Sequence, residues 1–363
     1  LDRRQFLGRS LAAGAGIAAL GGGASTLLAA CGSSSKGTTA GTTGGTGATG
    51  NFGAAKFQLS WIEDVEFAGE YIAVTNGYFT QAGFSDMSLL AGGAGVNQDS
   101  VVAAGQALVC ISSPDITSAK ILQGAGLISI AAQYQKNPFC ITSLKSNPLP
   151  NPQAMLGKKI GVQSTNLSAW KSFLKANNIQ ENQLTTANVG FDPTPLADGQ
   201  VDGWFSFITN EPIQLAAQGH PVTTFLLNDY HYPLVSQTIV TQTSSVQNKR
   251  DDLKALLKAD IMGWRASLKD PTVGANLAVN EFGKSQKLDL NTQIAQSKAQ
   301  NLLILDSRTK TEGIFTVPES EQEATVKTLS LGGTDITTSK LFDMSLLTEV
   351  YQENPDLMSD PTA

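Results

Sequence analysis

Trp61 is closely followed by three acidic side chains, Glu63, Asp64 and Glu66, and then by Phe67. Carboxylates accept hydrogen bonds from amino, ring N–H or hydroxyl groups. A flat indole beside them offers a stacking face worth about 0.5–1.5 kcal/mol beyond the area it buries. A second such place is Asn210-Glu211-Pro212, where Asn210 can cap a helix and Glu211 sits in its first turn. Ser112-Ser113 and Ser164-Thr165-Asn166 each precede a helical stretch, so Ser113 and Ser164 stand where free N–H groups suit a carbonyl or an anion, with simple capping as the other role. Tyr134 ends an apolar run and offers a further ring. Trp204 and Phe205 are neighbours in a strand-like run and point to opposite faces. One of them reaches the same side as Glu211, and the sequence leaves open which.

These groups bind; they do not assemble a reaction centre. The histidines are His220 and His231 and the cysteines Cys31, Cys110 and Cys140, with no spacing that makes a metal set or a nucleophile with its base. Cys110 and Cys140 each lie in an apolar run and read as buried thiols, with a disulfide between them left open. The chain carries 25 Lys and Arg against 31 Asp and Glu, a net charge of −6. Without a basic run, nucleic acid is not an expected partner. Neither a cofactor nor a metal is expected. The local charge also bears on the ligand: between Phe57 and Leu144 the only basic residues are Lys120 and Lys136, so an anion beside Glu63, Asp64 and Glu66 meets repulsion.

The elements that position these residues alternate. Strand-like runs at 57–61, 87–90, 107–111 and 127–132 are separated by helical stretches at 68–76, 98–104 and 113–123. After the proline-rich break Asn147-Pro148-Leu149-Pro150-Asn151-Pro152 a second round begins, with strands at 158–162, 201–207 and 222–227 and helices at 168–176 and 213–218. A strand at 236–241 returns to the first half, and from 249 onward the chain is mostly helical. Such alternation with apolar strands signals an α/β protein whose parallel sheets are covered by helices. Two such units, crossed twice and closed by a helical return, make a two-lobed clamshell, and the loops after the strands face its cleft.

The stretch from Trp61-Ile62-Glu63-Asp64-Val65-Glu66-Phe67-Ala68-Gly69 through Gly77-Tyr78-Phe79 resembles the opening of the thiamine-pyrimidine-precursor family of type II periplasmic binding proteins. Close branches of that family bind riboflavin; distant ones bind nitrate, sulfonates or taurine. Further matches follow in order at Gln135-Lys136-Asn137-Pro138-Phe139, Gly157-Lys158-Lys159-Ile160-Gly161-Val162, Gly199-Gln200-Val201-Asp202-Gly203 and Asn210-Glu211-Pro212. The resemblance implies the type II clamshell, no enzymatic activity, and a small heteroaromatic ligand in the interlobe cleft held by Trp61, Asp64, Glu66, Phe67, Ser113, Tyr134, Ser164, Trp204, Asn210 and Glu211. It implies as partners an ABC importer's permease and ATPase, to which a monomer delivers its cargo. The alternatives are an anion binder of the nitrate, sulfonate or taurine kind, or an enzyme of the pyrimidine-synthase or desulfinase type. The pyrimidine synthase consumes a histidine of its own and needs a cysteine cluster, which this sequence lacks.

The N-terminus reads as an address. Arg3-Arg4-Gln5-Phe6-Leu7 matches the twin-arginine export pattern, an apolar run follows, and Leu28-Ala29-Ala30-Cys31-Gly32 resembles the bacterial lipobox. Residues 1–30 are thus expected to be a signal peptide. Residues 31–52 form an acylated Cys31 and a flexible Gly/Ser/Thr tether, anchoring the protein by lipid at the outer face of the membrane. Residues 53–143 plus 244–363 make lobe 1 and 144–243 lobe 2. Cys31→Ala is expected to move the protein from the membrane fraction to the soluble one; a variant that stays membrane-bound and keeps its leader would contradict the lipoprotein reading.

Overall fold

The computed structural model describes residues 50–93 and 95–362. The twin-arginine run, the lipobox with Cys31 and most of the tether lie outside them. Ten strands follow in chain order: β1 Gly53–Gln58, β2 Phe84–Leu90, β3 Val109–Ser112, β4 Leu127–Tyr134, β5 Phe139–Leu144, β6 Lys159–Gln163, β7 Thr185–Val189, β8 Gly203–Phe207, β9 Val222–Leu226 and β10 Ser236–Gln242. They form two five-stranded sheets, ordered β2-β1-β3-β10-β4 and β7-β6-β8-β5-β9.

The sheets are mixed, where the sequence pointed to parallel ones. β10 runs antiparallel to β3 and β4, and β5 runs antiparallel to β8 and β9. Both are the strands that enter a sheet from the other half of the molecule. They start at the end where the parallel strands finish, so they must run backwards. Consequently β5, placed by the sequence almost wholly in lobe 1, pairs into the second sheet, and β10 pairs into the first as a returning strand would, although the lobe bounds drawn from the sequence left its residues in lobe 2.

Helices cover the sheets because the crossovers supply them. In the first half, Ala68–Thr75 and Arg250–Lys269 pack so closely that a Cβ on Gly263 would lie 2.1 Å from the Gly69 carbonyl oxygen, and one on Gly69 2.2 Å from the Trp264 ring. Only glycine allows that approach, and it fixes the chain segment that carries the acidic residues after Trp61. The first core gathers Phe57, Tyr71, Trp264 and Leu256, all fully buried. The second gathers Trp170, Phe173, Phe205 and Phe225. Cys110 and Cys140 are buried free thiols in different sheets.

Two chain segments join the halves, residues 135–138 and 227–235. The buried Asn137 braces them, accepting from Phe139 N (2.9 Å) and donating to the Tyr232 carbonyl (3.3 Å). A third link comes from the C-terminal helices. Phe315 accepts from Ala132 N of β4 (3.0 Å), and Asp343 N donates to the Ser129 carbonyl of β4 (2.9 Å). Between those points the helix Glu319–Leu331 buries Leu329 in the second core, and Thr328 Oγ1 donates to the Pro233 carbonyl (2.8 Å). Residues 315–343 therefore leave the first half, pack on the second and return. Among the described residues, no helix is long and apolar enough to cross a membrane.

Candidate functional site

The carboxyl ends of β1, β3, β6 and β8 converge on a cavity of about 50 Å³ between the two sheets, where ligands of open α/β sheets bind. Ser60, Trp61 and Glu66 come from the loop after β1, Ser112 and Ser113 from the end of β3, and Gln237 from β10. The facing wall brings Thr165 and Asn166 after β6, Phe205 and Phe207 of β8, Asn210 and Glu211 after β8, and Phe139 at the start of β5. No lysine, arginine or histidine lines it.

Three carboxyl groups stand in or against this space, each under a tenth exposed. Asp64 caps the short turn Val65–Phe67, accepting from Glu66 N at 2.9 Å. Its other oxygen takes the Asn210 amide of the opposite half at 3.3 Å. Asn210 in turn accepts from Gln296 Nε2 at 2.6 Å, and Gln296 from Gln293 at 2.6 Å, so a chain of amides ties the two walls to the helix Leu290–Ile304. Glu66 accepts from the Gln237 amide and from Ser60 Oγ (3.4 Å). Glu211 accepts from Phe207 N at 3.0 Å. Burial disfavours the charged form of all three. It lifts Asp64 and Glu211 to about 7. Glu66 is pushed well up by burial, with repulsion from Asp64 and Glu211 adding to it.

Rings supply the rest of the wall. Phe139 lies 4.8 Å from Phe205 and 5.0 Å from Phe207, centroid to centroid. Trp61 meets Phe191 of the other half edge-to-face at 6.5 Å. Trp61, Asp64, Phe191 and Asn210 also border an outer pocket on the other side of this seam.

Of the residues picked from the sequence, the cavity brings together Trp61, Glu66, Ser113, Asn210 and Glu211. Asp64 stands behind them and reaches the space through Asn210. Ser164 opens the turn Ser164–Asn166, whose next residues, Thr165 and Asn166, line the cavity in its place. Three others lie elsewhere. Phe67 packs in the first core, 6.5 Å from Tyr71. Tyr134 is in the same core, its hydroxyl donating to Gln300 Oε1 at 3.0 Å. Trp204 is buried with Leu196 and Leu215 on the far face of β8, which settles the strand's alternation in favour of Phe205. The period of two also carries Phe207 to the cavity, a signal present in the sequence and not taken up. Gln237 had no sequence signal. It holds a left-handed φ of 50°, strain that a non-glycine residue keeps where its surroundings enforce it.

The raised carboxyls give a pH test. In the folded chain Asp64 and Glu211 keep protons that the unfolded chain has released, so their contribution to stability is fully present below about pH 4 and is lost as pH rises through about 7. Glu70, lifted by burial to about 7, and Asp260 in the first core slope the same way. Denaturant titrations of the ligand-free protein are expected to show stability falling across that interval, with Glu211→Gln flattening the fall. A stability that climbs from pH 4 to 7 would contradict the burial of these groups.

Comparison with known proteins adds relatives. The NMT1/THI5-like family model matches residues 64–273. The chain is 23% identical over 241 residues to the riboflavin-binding protein RibY of Chloroflexus aurantiacus, covering 65% of this chain and 68% of that one. It is 21% identical over 225 residues to the formylaminopyrimidine-binding protein of Halalkalibacterium halodurans, covering 60% and 68%. The periplasmic nitrate-binding protein NrtA from Synechocystis superposes with a TM-score of 0.61 at 14% identity, over 85% of this chain and 92% of that one. With the two-sheet cleft of the type II periplasmic binding proteins and a family match over more than half its length, the chain belongs to the NMT1/THI5-like family.

Proposed function

We propose that this solute-binding protein of the ABC-importer type takes an uncharged or weakly cationic heteroaromatic compound, a thiamine pyrimidine precursor or a flavin, in the cavity between its sheets. The observation that carries the reading is the composition of that cavity. Trp61, Phe139, Phe205 and Phe207 offer ring faces, Glu66 and Glu211 offer acceptors, and no cationic side chain lines it. The names of the two sequence relatives, which bind riboflavin and a formylaminopyrimidine, agree with that chemistry. On this reading the protein is exported, held at the outer face of the membrane through Cys31, and passes its cargo as a monomer to a permease and its ATPase.

The anion reading has a weaker basis. Nitrate or a sulfonate wants Arg, Lys or unspent N–H donors, and here it would face Glu66 and Glu211 instead. The enzyme reading lacks a reacting group. The thiols among the described residues, Cys110 and Cys140, are fully buried in β3 and β5 and pushed up by desolvation, away from a reactive thiolate.

Calorimetry with riboflavin, an aminopyrimidine, nitrate and taurine separates these readings. A heterocycle is expected to bind, and Trp61→Ala to weaken it about tenfold, the loss of one stacking face. Tight binding of nitrate or taurine with no response to any heterocycle would overturn the proposal.

A further inference from the structure

Two serines line the cavity at the start of the helix Pro114–Leu122, and behind each stands a buried carboxyl group that does not itself border the space. Asp99, 0% exposed, accepts from Ser112 Oγ at 2.5 Å and from Thr117 Oγ1 at 2.7 Å. Asp115, 2% exposed, accepts from Ser113 Oγ at 2.6 Å. A hydroxyl has one proton and an ionised carboxylate only accepts. Both serines therefore direct their proton backwards and turn oxygen lone pairs toward the cavity.

The side-chain amides of the wall are engaged with the protein as well, whereas the hydroxyls of Thr165 and Ser236, which also line it, have no protein partner. The side-chain amides that border the space each direct an N–H at a protein acceptor: Gln98 at Ser112 Oγ (3.4 Å), which leaves that oxygen one further lone pair, Asn166 at Gln163 Oε1 (2.9 Å), Asn210 at Asp64 (3.3 Å) and Gln237 at Glu66. Glu66 and Glu211 add carboxyl oxygens from opposite sides. A ligand oxo group placed against Ser112 or Ser113 would set lone pairs against lone pairs. An exocyclic amino group in that place would be accepted.

We infer that Asp99 and Asp115 are positioning residues that turn the Ser112 and Ser113 hydroxyls into acceptors, so that the site selects a ring bearing an exocyclic amino group over its oxo counterpart. This rests on the heteroaromatic reading of the cavity and narrows it toward an aminopyrimidine rather than the dioxo ring of a flavin. Discrimination of this kind is strong because a mismatched partner leaves buried polar groups unpaired.

The test is a ratio. Binding of 4-aminopyrimidine and of pyrimidin-4-one is measured by calorimetry for the wild-type protein, Asp99→Asn and Ser112→Ala, with riboflavin as a third probe. The wild type is expected to prefer the amino compound by about tenfold or more. Asp99→Asn places an amide donor behind Ser112 and frees its proton to turn inward; Ser112→Ala removes the acceptor and leaves Asp99 in place. Each is expected to lower the amino-to-oxo ratio about fivefold or more. Damage to the fold weakens both probes alike and leaves the ratio unchanged, and Ser112→Ala decides the matter if Asp99→Asn does not fold. A wild-type preference for the oxo compound or riboflavin, or a ratio unmoved in the folded variants, would overturn this inference and leave the proposed function standing. No binding of any of the three heterocycles would bring down both.

Discussion

Carboxyl groups buried around a cavity that no cationic side chain lines are the constraint on which the rest of this structure turns. Asp64, Glu66 and Glu211 lie within one seam between two sheets, and taking an ionised carboxylate out of water without a partner is prohibitive. The chain meets the cost in part with its own donors, the Asn210 and Gln237 amides and the Phe207 N–H. The remainder falls to protons or to a ligand that donates. A cavity so built is comfortable shut only when something neutralises it, which ties the chemistry of the site to the distance between its walls.

The fold supplies walls that can part. Each sheet presents the carboxyl ends of its parallel strands to the seam, and each receives one reversed strand from the other half. The two crossings lie side by side, braced by Asn137 against Tyr232. The C-terminal stretch 315–343 binds β4 at both ends and the second core in its middle, so the halves are linked three times on one side and meet on the other through Trp61 with Phe191 and Asp64 with Asn210. Glu66 and Gln237 come from the first half, Glu211 from the second, and Asn210 spans the seam, so the cavity is lined by both halves at once.

Much of this could be read in the residues beforehand. The apolar runs of β3, β4, β6 and β8 are legible because strands buried on both faces tolerate little else, whereas β1, exposed at alternate residues, lies mostly ahead of the run 57–61 expected for it. What failed to show was polar or topological. β7, Thr185–Val189, is an edge strand of mostly exposed small polar residues and carries no apolar pattern. The reversal of β5 and β10 depends on which sheet a strand joins, which periodicity does not encode. Trp61 and Glu66, in the loop after β1, and Glu211, at the start of the helix after β8, stand on the cavity wall because the loops that follow strands face it. Phe67 and Tyr134 were misjudged for a shared reason: aromatic residues near the cleft end of a strand are also what a core needs, and only packing against the helices behind the sheet decides between the two. Asp99, by contrast, lies one helix away from the cavity, and its role appears only once the distance to Ser112 is known.

Small-angle scattering addresses the coupling between charge and closure most directly. At pH 8, above the value of about 7 to which burial lifts Asp64 and Glu211, the ligand-free protein is predicted to have a larger radius of gyration than the same protein saturated with 4-aminopyrimidine or riboflavin. Binding detected by calorimetry with a superimposable scattering profile would contradict it, because the carboxyls would then lie buried at the same separation whether or not anything neutralised them.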